Sequence, residues 1–230
     1  MTVDLGTAQL HGRVVQRWGQ DIVSGELPTG SRISADRAAG QLGVSRTVVR
    51  EAVRVLESMG LLAVRRRLGI TVRPAEHWNP FDPSIIRWQL AGRDRLDQLH
   101  QIGELRSAIE PLAARLAALR AGPDECGELT RAVIGMAATA KPAAGDEYLA
   151  HDVEFHRILL RAAGNPMLAG LCEVITEGLA DRRARCDLIP VEADPEAVRL
   201  HGVVASAVQA GDPDAAEQAM RGIVAAAACN

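Results

Sequence analysis

The chain has 230 residues, 47% hydrophobic, only 3% aromatic and 24% charged, with a formal net charge of −3. That length holds one large domain or two ordinary ones, and an apolar fraction rich in alanine favours closely packed helices over an all-β core. No apolar run is long enough to span a bilayer, and the opening "MTVDLGTAQLHGRVV" lacks a basic segment followed by an apolar block. Neither a membrane segment nor a secretion signal is therefore expected.

Four cysteines, Cys126, Cys172, Cys186 and Cys229, lie far apart without a CxxC pair. They read as reduced thiols of a cytoplasmic protein, not as a disulfide frame or zinc ribbon. Charge is unevenly spread. Residues 1–73 hold 11 arginines against 6 acidic residues (+5), while the remainder holds 15 basic against 23 acidic residues (−8). A basic front and an acidic back imply two domains, the first with a polyanionic partner.

In chain order, Leu10, Val14, Val15, Trp18 and Ile22 recur at helical spacing before "GELPTGSRI" breaks the pattern. "SADRAAGQLG" predicts a short helix with Ser34 as N-cap and Gly43 as stop. "VSRTVVREAVRVLESMGLL" predicts a third helix capped by Ser45, with Val49, Val53 and Leu56 inward and Arg46, Thr47 and Arg50 on its first turns. "LLAVRRRLGITV" alternates around a glycine-containing turn, as a hairpin does. Three helices and a hairpin make a winged helix-turn-helix, a DNA-binding module whose second motif helix enters the major groove. Arg46 and Arg50 suit guanine or phosphate, and Thr47 suits phosphate or a thymine methyl. In the wing, Arg65, Arg66 and Arg67 suit the DNA backbone or minor groove, and Gly69 permits close approach. Each arginine alone would read as a solvated helix face. The ordered set of turn, cap, Arg-Thr-x-x-Arg and wing reads as DNA binding.

The run "GVSRTVVREAVRVLESMGLLAVRRRLGITV" resembles the signature of the GntR family of bacterial transcription regulators. Val48 stands where proline is common in that family. Where members often open the first motif helix with Glu-Arg, this chain has Ala35 and Asp36, with Arg37 one residue later. The resemblance carries Arg46, Thr47, Arg50 and Gly69 as DNA contacts. We take residues 1–75 as the DNA-binding domain and 76–92 as a linker. The linker "PAEHWNPFDPSIIRWQLAG" spaces prolines between Trp78 and Trp88, so it is expected to pack on something and not to swing freely. Its W-N-x-x-D-P segment resembles that of galactonate-type repressors of sugar-acid operons.

From about residue 84 onward only helical patterns appear. "LDQLHQIGELRSAIEPLAARLAALRA" is long, with Pro111 expected to kink or break it. Later helices open at Pro123, at Asn165, at Asp194-Pro195 and at Asp212-Pro213, and one ends at Gly164. The expected fold is mainly α: the winged domain, then an antiparallel bundle of six or seven helices over residues 93–230.

Within "AHDVEFHRIL", Asp152 and His156 are four apart and lean the same way on a helix, while His201 sits in an apolar helix further on. An Asp and two His on facing helices suit Zn²⁺, Ni²⁺ or Mn²⁺. They equally suit two buried neutral imidazoles satisfied by Asp152 and backbone carbonyls. "ELRSAIEPLAARLAA", "DVEFHRILLRAAGNPML" and "HGVVASAVQAGDPDAAEQAM" resemble the FCD domain, the ligand-binding and dimerisation bundle of the FadR subfamily within GntR. In metal-binding members an Asp and a His four apart join two further histidines from the last two helices. The resemblance implies Asp152, His156 and His201 as metal ligands, and the fourth position is Ile223. Three ligands completed by water or an acid effector is the implied site. The resemblance also places Arg106 in the pocket as a clamp on an effector carboxylate; otherwise Arg106 pairs with Glu110 four residues on.

The function expected is a homodimeric cytoplasmic regulator, a repressor of a sugar-acid or other carboxylic-acid operon, bound to double-stranded operator DNA and released by a small acid. Two rivals stand beside it. The adjacent His151-Asp152 pair is that of HD-type metal-dependent hydrolases, and a fatty-acyl-responsive regulator could use the same fold without metal.

Overall fold

The computed structural model describes residues 5–65, 69–140, 145–186 and 194–228. The chain divides into two compact units, Met1–Arg95 and Leu96–Asn230. None of the described helices is long and apolar enough to cross a membrane.

In the first unit, α1 (Leu5–Val23), α2 (Ala35–Leu42) and α3 (Arg46–Ser58) precede a hairpin of β2 (Leu62–Arg65) and β3 (Gly69–Val72). The predicted caps are present: Ser34 accepts from the Arg37 backbone N–H, Ser45 from that of Val48, and Gly43 ends α2 in the left-handed conformation. A third strand, β1 (Arg32–Ile33), was not expected; it pairs antiparallel with β3, giving the order β1-β3-β2. Two residues between Gly30 and Ser34 carry too little alternation to signal a strand.

Val14, Trp18 and Ile22 of α1 pack with Val49, Ala52, Val53 and Leu56 of α3 and with Leu62, Ile70 and Val72 of the sheet. The segment 76–92 belongs to the same unit. Asp82 caps α4 (Pro83–Leu90), whose Ile85 and Trp88 join this core. A Cβ added at Gly19 would lie 2.1 Å from the Trp88 ring, so α1 must carry glycine there. The tryptophan read from sequence as packing on something thus has its partner on α1.

The second unit is helical among its described residues: α5 (Arg95–Arg120), α6 (Pro123–Thr139), α7 (Gly145–Ala162), the short α8 (Pro166–Ala169), α9 (Cys172–Cys186), α10 (Pro195–Ala210) and α11 (Pro213–Ala228). Helix α5 runs through Pro111 without ending. Proline removes one backbone donor and crowds one carbonyl, but burial of Ala113, Ala114, Ala117 and Ala118 on one side holds the helix together. The segment read as one helix from Asn165 divides at Gly170 into α8 and α9. Asn165, Asp194 and Asp212 cap as expected.

Small residues dominate the main core. Ala114, Ala117, Ala132, Ala162, Ala205, Ala216 and Ala219 surround Phe155, Ile158, Leu159, Met136 and Met220. Helices therefore approach closely, and glycine is needed where they touch: a Cβ at Gly135 on α6 would meet the His151 ring at 2.5 Å, and one at Gly178 on α9 would meet Ile102 at 2.6 Å.

Candidate functional site

Two sites follow from these units. In the first, the cap and buried stripe of α3 aim one face outward. Val48 and Val49 are buried, whereas Arg46, Thr47 and Arg50 are exposed on the helix's opening turns. Arg46 Nε pairs with Asp36 Oδ1 of α2 at 2.9 Å, both side chains well exposed. Asp36 was noted in the sequence only as a departure from the usual pattern; its partner could not be read there. The wing is fastened to the same helix, because Glu57 of α3 accepts the Val64 backbone N–H at 3.0 Å. Arg65 is exposed at the end of β2, and Gly69 opens β3 with φ of 81° and open space around it. Arg66 and Arg67 lie outside the described residues.

The second site is a chain of buried polar groups within the second unit. Arg106 and Glu110 come from α5, Asp152 and His156 from α7, and His201 from α10. Arg106, Glu110, His156 and His201 retain 3%, 0%, 1% and 2% exposure. The Arg106 guanidinium donates from Nε to both Glu110 oxygens at 3.3 Å and from Nη2 to Oε2 at 3.2 Å. Glu110 Oε1 lies 3.1 Å from His156 Nδ1, within ion-pair reach although the ring N–H is not aimed along the contact. On the far side of that ring, Nε2 faces Asp152 Oδ1 at 3.7 Å, and the same oxygen is 3.1 Å from His201 Nε2. His201 Nδ1 is 2.6 Å from the Ala197 carbonyl, which accepts only, so that nitrogen carries the proton. Phe155 packs edge-on against both imidazoles, with ring centroids 4.8 and 5.8 Å away.

Burial raises the pKa of Glu110, but Arg106 and His156 beside it outweigh that and hold the carboxyl well below the usual range. Burial likewise raises that of Asp152, and His201, His156 and Arg106 together bring it down. Both carboxylates are ionised at neutral pH. Glu110 and Asp152 thus bring two carboxylates beside one guanidinium and two imidazoles in a desolvated place.

The donor set fits a divalent metal. One ligand atom each from Asp152, His156 and His201 lies within 4.8 Å of the others. Both Nε2 atoms are buried without a hydrogen-bond partner among the described residues, and they face one carboxylate oxygen. Ligands about 2.1 Å from a shared ion at tetrahedral or octahedral angles stand about 3.0–3.4 Å apart; Asp152 Oδ1 is already 3.1 Å from His201 Nε2, and the 3.7 Å to His156 Nε2 must shorten around an ion. Ile223, where the resemblance would have placed a fourth ligand, is buried in the apolar cluster with Phe155, Val204 and Val208.

His151 and His100 take no part. The His151 ring lies against Gly135 of α6. His100 is exposed and faces Glu104 at 3.7 Å. The adjacent His151-Asp152 pair therefore does not converge on one point, as an HD hydrolase requires. Glu110 is the residue that sequence reasoning passed over as a site member. It appeared only as an alternative partner for Arg106, and the available signal was its place one turn after that arginine in "ELRSAIEP".

Comparisons with known proteins match both units of the chain. The model of the gntR family of bacterial regulatory proteins matches residues 10–72, and the FCD domain model matches residues 101–226. The chain is 28% identical to the galactonate operon transcriptional repressor of Escherichia coli (strain K12), over 93% of each chain. It is 31% identical to the probable D-xylose utilization operon transcriptional repressor of Paenarthrobacter nicotinovorans, over 90% of this chain and 81% of that one. Among solved structures, Streptococcus agalactiae GntR aligns with a TM-score of 0.51 at 25% identity, covering 97% of this chain and 100% of that one. E. coli McbR/YncC aligns with a TM-score of 0.55 at 20% identity, over 99% and 97%, a likeness of fold.

Proposed function

The chain belongs to the GntR family of bacterial transcription regulators and carries an FCD domain behind its DNA-binding head, and from that premise we propose that it represses a catabolic operon for a sugar acid or a related carboxylic acid. It acts in the cytoplasm as a homodimer on a pseudo-palindromic operator, with no catalytic role of its own. Two copies of α3 enter successive major grooves, where Arg46, Thr47 and Arg50 contact bases and phosphates. Arg65, Arg66, Arg67 and Gly69 of the wing follow the backbone.

The effector reading rests on one observation: an arginine and an Asp/His/His group share a single buried polar chain. Asp152, His156 and His201 would hold a divalent ion, which supplies positive charge and open coordination positions for an acid. Arg106 has donors beyond those it gives Glu110, and these reach for the same carboxylate. So polar a group of side chains supports a small acid over a fatty-acyl chain. Release requires that the acid bind more tightly to the DNA-incompetent state.

The test is fluorescence anisotropy on DNA from upstream of the protein's own gene, titrated with sugar acids and other carboxylates, with and without Zn²⁺. Arg46→Ala and Arg50→Ala are expected to weaken operator binding. Arg106→Ala is expected to bind operator normally and lose its response to acid. A normal response from Arg106→Ala would remove the arginine from the pocket.

A further inference from the structure

Between the arginine and the metal-ligating group stands one side chain with a contact on either side. Glu110 has no exposure, and its two oxygens meet Arg106 at 3.2–3.3 Å and His156 Nδ1 at 3.1 Å. We propose that Glu110 is the positioning residue that joins the acid clamp to the metal cluster, its two oxygens holding Arg106 while Oε1 also faces and orients His156. This rests on the acid-and-metal reading above and adds to it the part that makes the two halves one site.

An ionised carboxylate accepts and never donates. Facing His156 Nδ1, it favours the proton on that nitrogen and leaves the Nε2 lone pair toward Asp152, the tautomer a ligand needs. His201 reaches the same tautomer by other means, through the Ala197 carbonyl at 2.6 Å. Two histidines on different helices are thus set alike, one by backbone and one by Glu110. Outer carboxylate partners of this kind are worth about 10–100-fold in metal affinity. The same carboxylate takes the Nε edge of Arg106, so the orientation of the guanidinium toward an incoming acid depends on it. Glutamine at position 110 keeps the shape but removes the charge and presents a donor as well as an acceptor. The tautomer of His156 then has no single solution, and that of His201 is untouched.

The experiment uses the full-length protein, with Zn²⁺ as the probe. Affinity is read by competition with a chromophoric chelator for the wild type, Glu110→Gln and Asp152→Asn, and imidazole ¹⁵N spectra of the metal-free proteins report each histidine's tautomer. We expect Asp152→Asn to lose specific binding and Glu110→Gln to weaken it about 10–100-fold, with the His156 signals changed and those of His201 unchanged. Wild-type affinity in Glu110→Gln overturns the proposal. So does a wild-type spectrum showing His156 protonated at Nε2, a result that needs no variant to fold. If Asp152→Asn binds Zn²⁺ like the wild type, the metal reading fails, and the spectra then decide alone. His156 signals that move in Glu110→Gln uphold the positioning role, and signals that stay put overturn it.

Discussion

At the residue scale, neighbours reveal the role of a side chain. Arg46 is exposed on a recognition helix, and its pairing with Asp36 orients it from the preceding helix. An exposed pair of this kind contributes little to stability, so its effect should appear in DNA binding. Asp36→Asn is expected to leave the unfolding midpoint in urea unchanged and to alter operator affinity by at most about fivefold. Arg46→Ala should cost about 1–3 kcal/mol if the arginine reads a base. An unfolding midpoint displaced by Asp36→Asn would mean that the pair holds the fold. Gly19 is the opposite kind of residue, with no chemistry and no room. Gly19→Ala drives a methyl into the Trp88 ring and should destabilise the protein by about 1–3 kcal/mol, read from chemical denaturation.

At the element scale, the recognition helix is held by its cap, its buried stripe and Glu57. Removing the Ser45 hydroxyl leaves the Val48 N–H without its acceptor. Ser45→Ala is accordingly expected to cost about 1 kcal/mol in a urea titration, and to weaken operator binding by fraying the turn that carries Arg46 and Thr47. Helix α5 poses the reverse problem. Proline inside a helix costs about 3 kcal/mol, yet α5 is continuous through Pro111. Restoring the missing N–H should outweigh the lost ring packing, so Pro111→Ala is expected to raise stability by about 1 kcal/mol. A clear fall in melting temperature would show that the Pro111 ring matters more to the core than the hydrogen bond does to the helix.

At the scale of the whole molecule, charge and burial divide the labour. The basic first 73 residues present Arg46, Arg50 and Arg65 to solvent, while the acidic remainder buries Arg106 and Glu110 in the bundle. Operator binding should weaken steeply with salt because phosphate neutralisation releases counterions. If Arg50 meets a phosphate, Arg50→Ala lowers the slope of log K against log salt by about 1. An unchanged slope with altered base preference would assign Arg50 to a base edge instead. Asp36→Asn and Arg106→Ala, which leave the exposed arginines of the first unit in place, should keep the wild-type slope.

Much of this is legible in the sequence. Caps, breakers and a period of 3.6 are local properties, so the winged head, the capped helices and the helical bundle followed from residues a few positions apart. The i, i+4 spacing alone put Asp152 beside His156. What only the tertiary structure decided depends on residues distant in sequence. The strand β1 exists because β3 offers it partners, and Trp88 is buried because Gly19 makes room. Pro111 does not end its helix because packing on one face outweighs a lost hydrogen bond. His201 joins Asp152 across two helices, while His151 turns to Gly135 and leaves the cluster. Glu110 had no local signal of its own importance. Its carboxylate matters because folding buries it between an arginine on its own helix and a histidine on another, where the loss of water makes each contact strong.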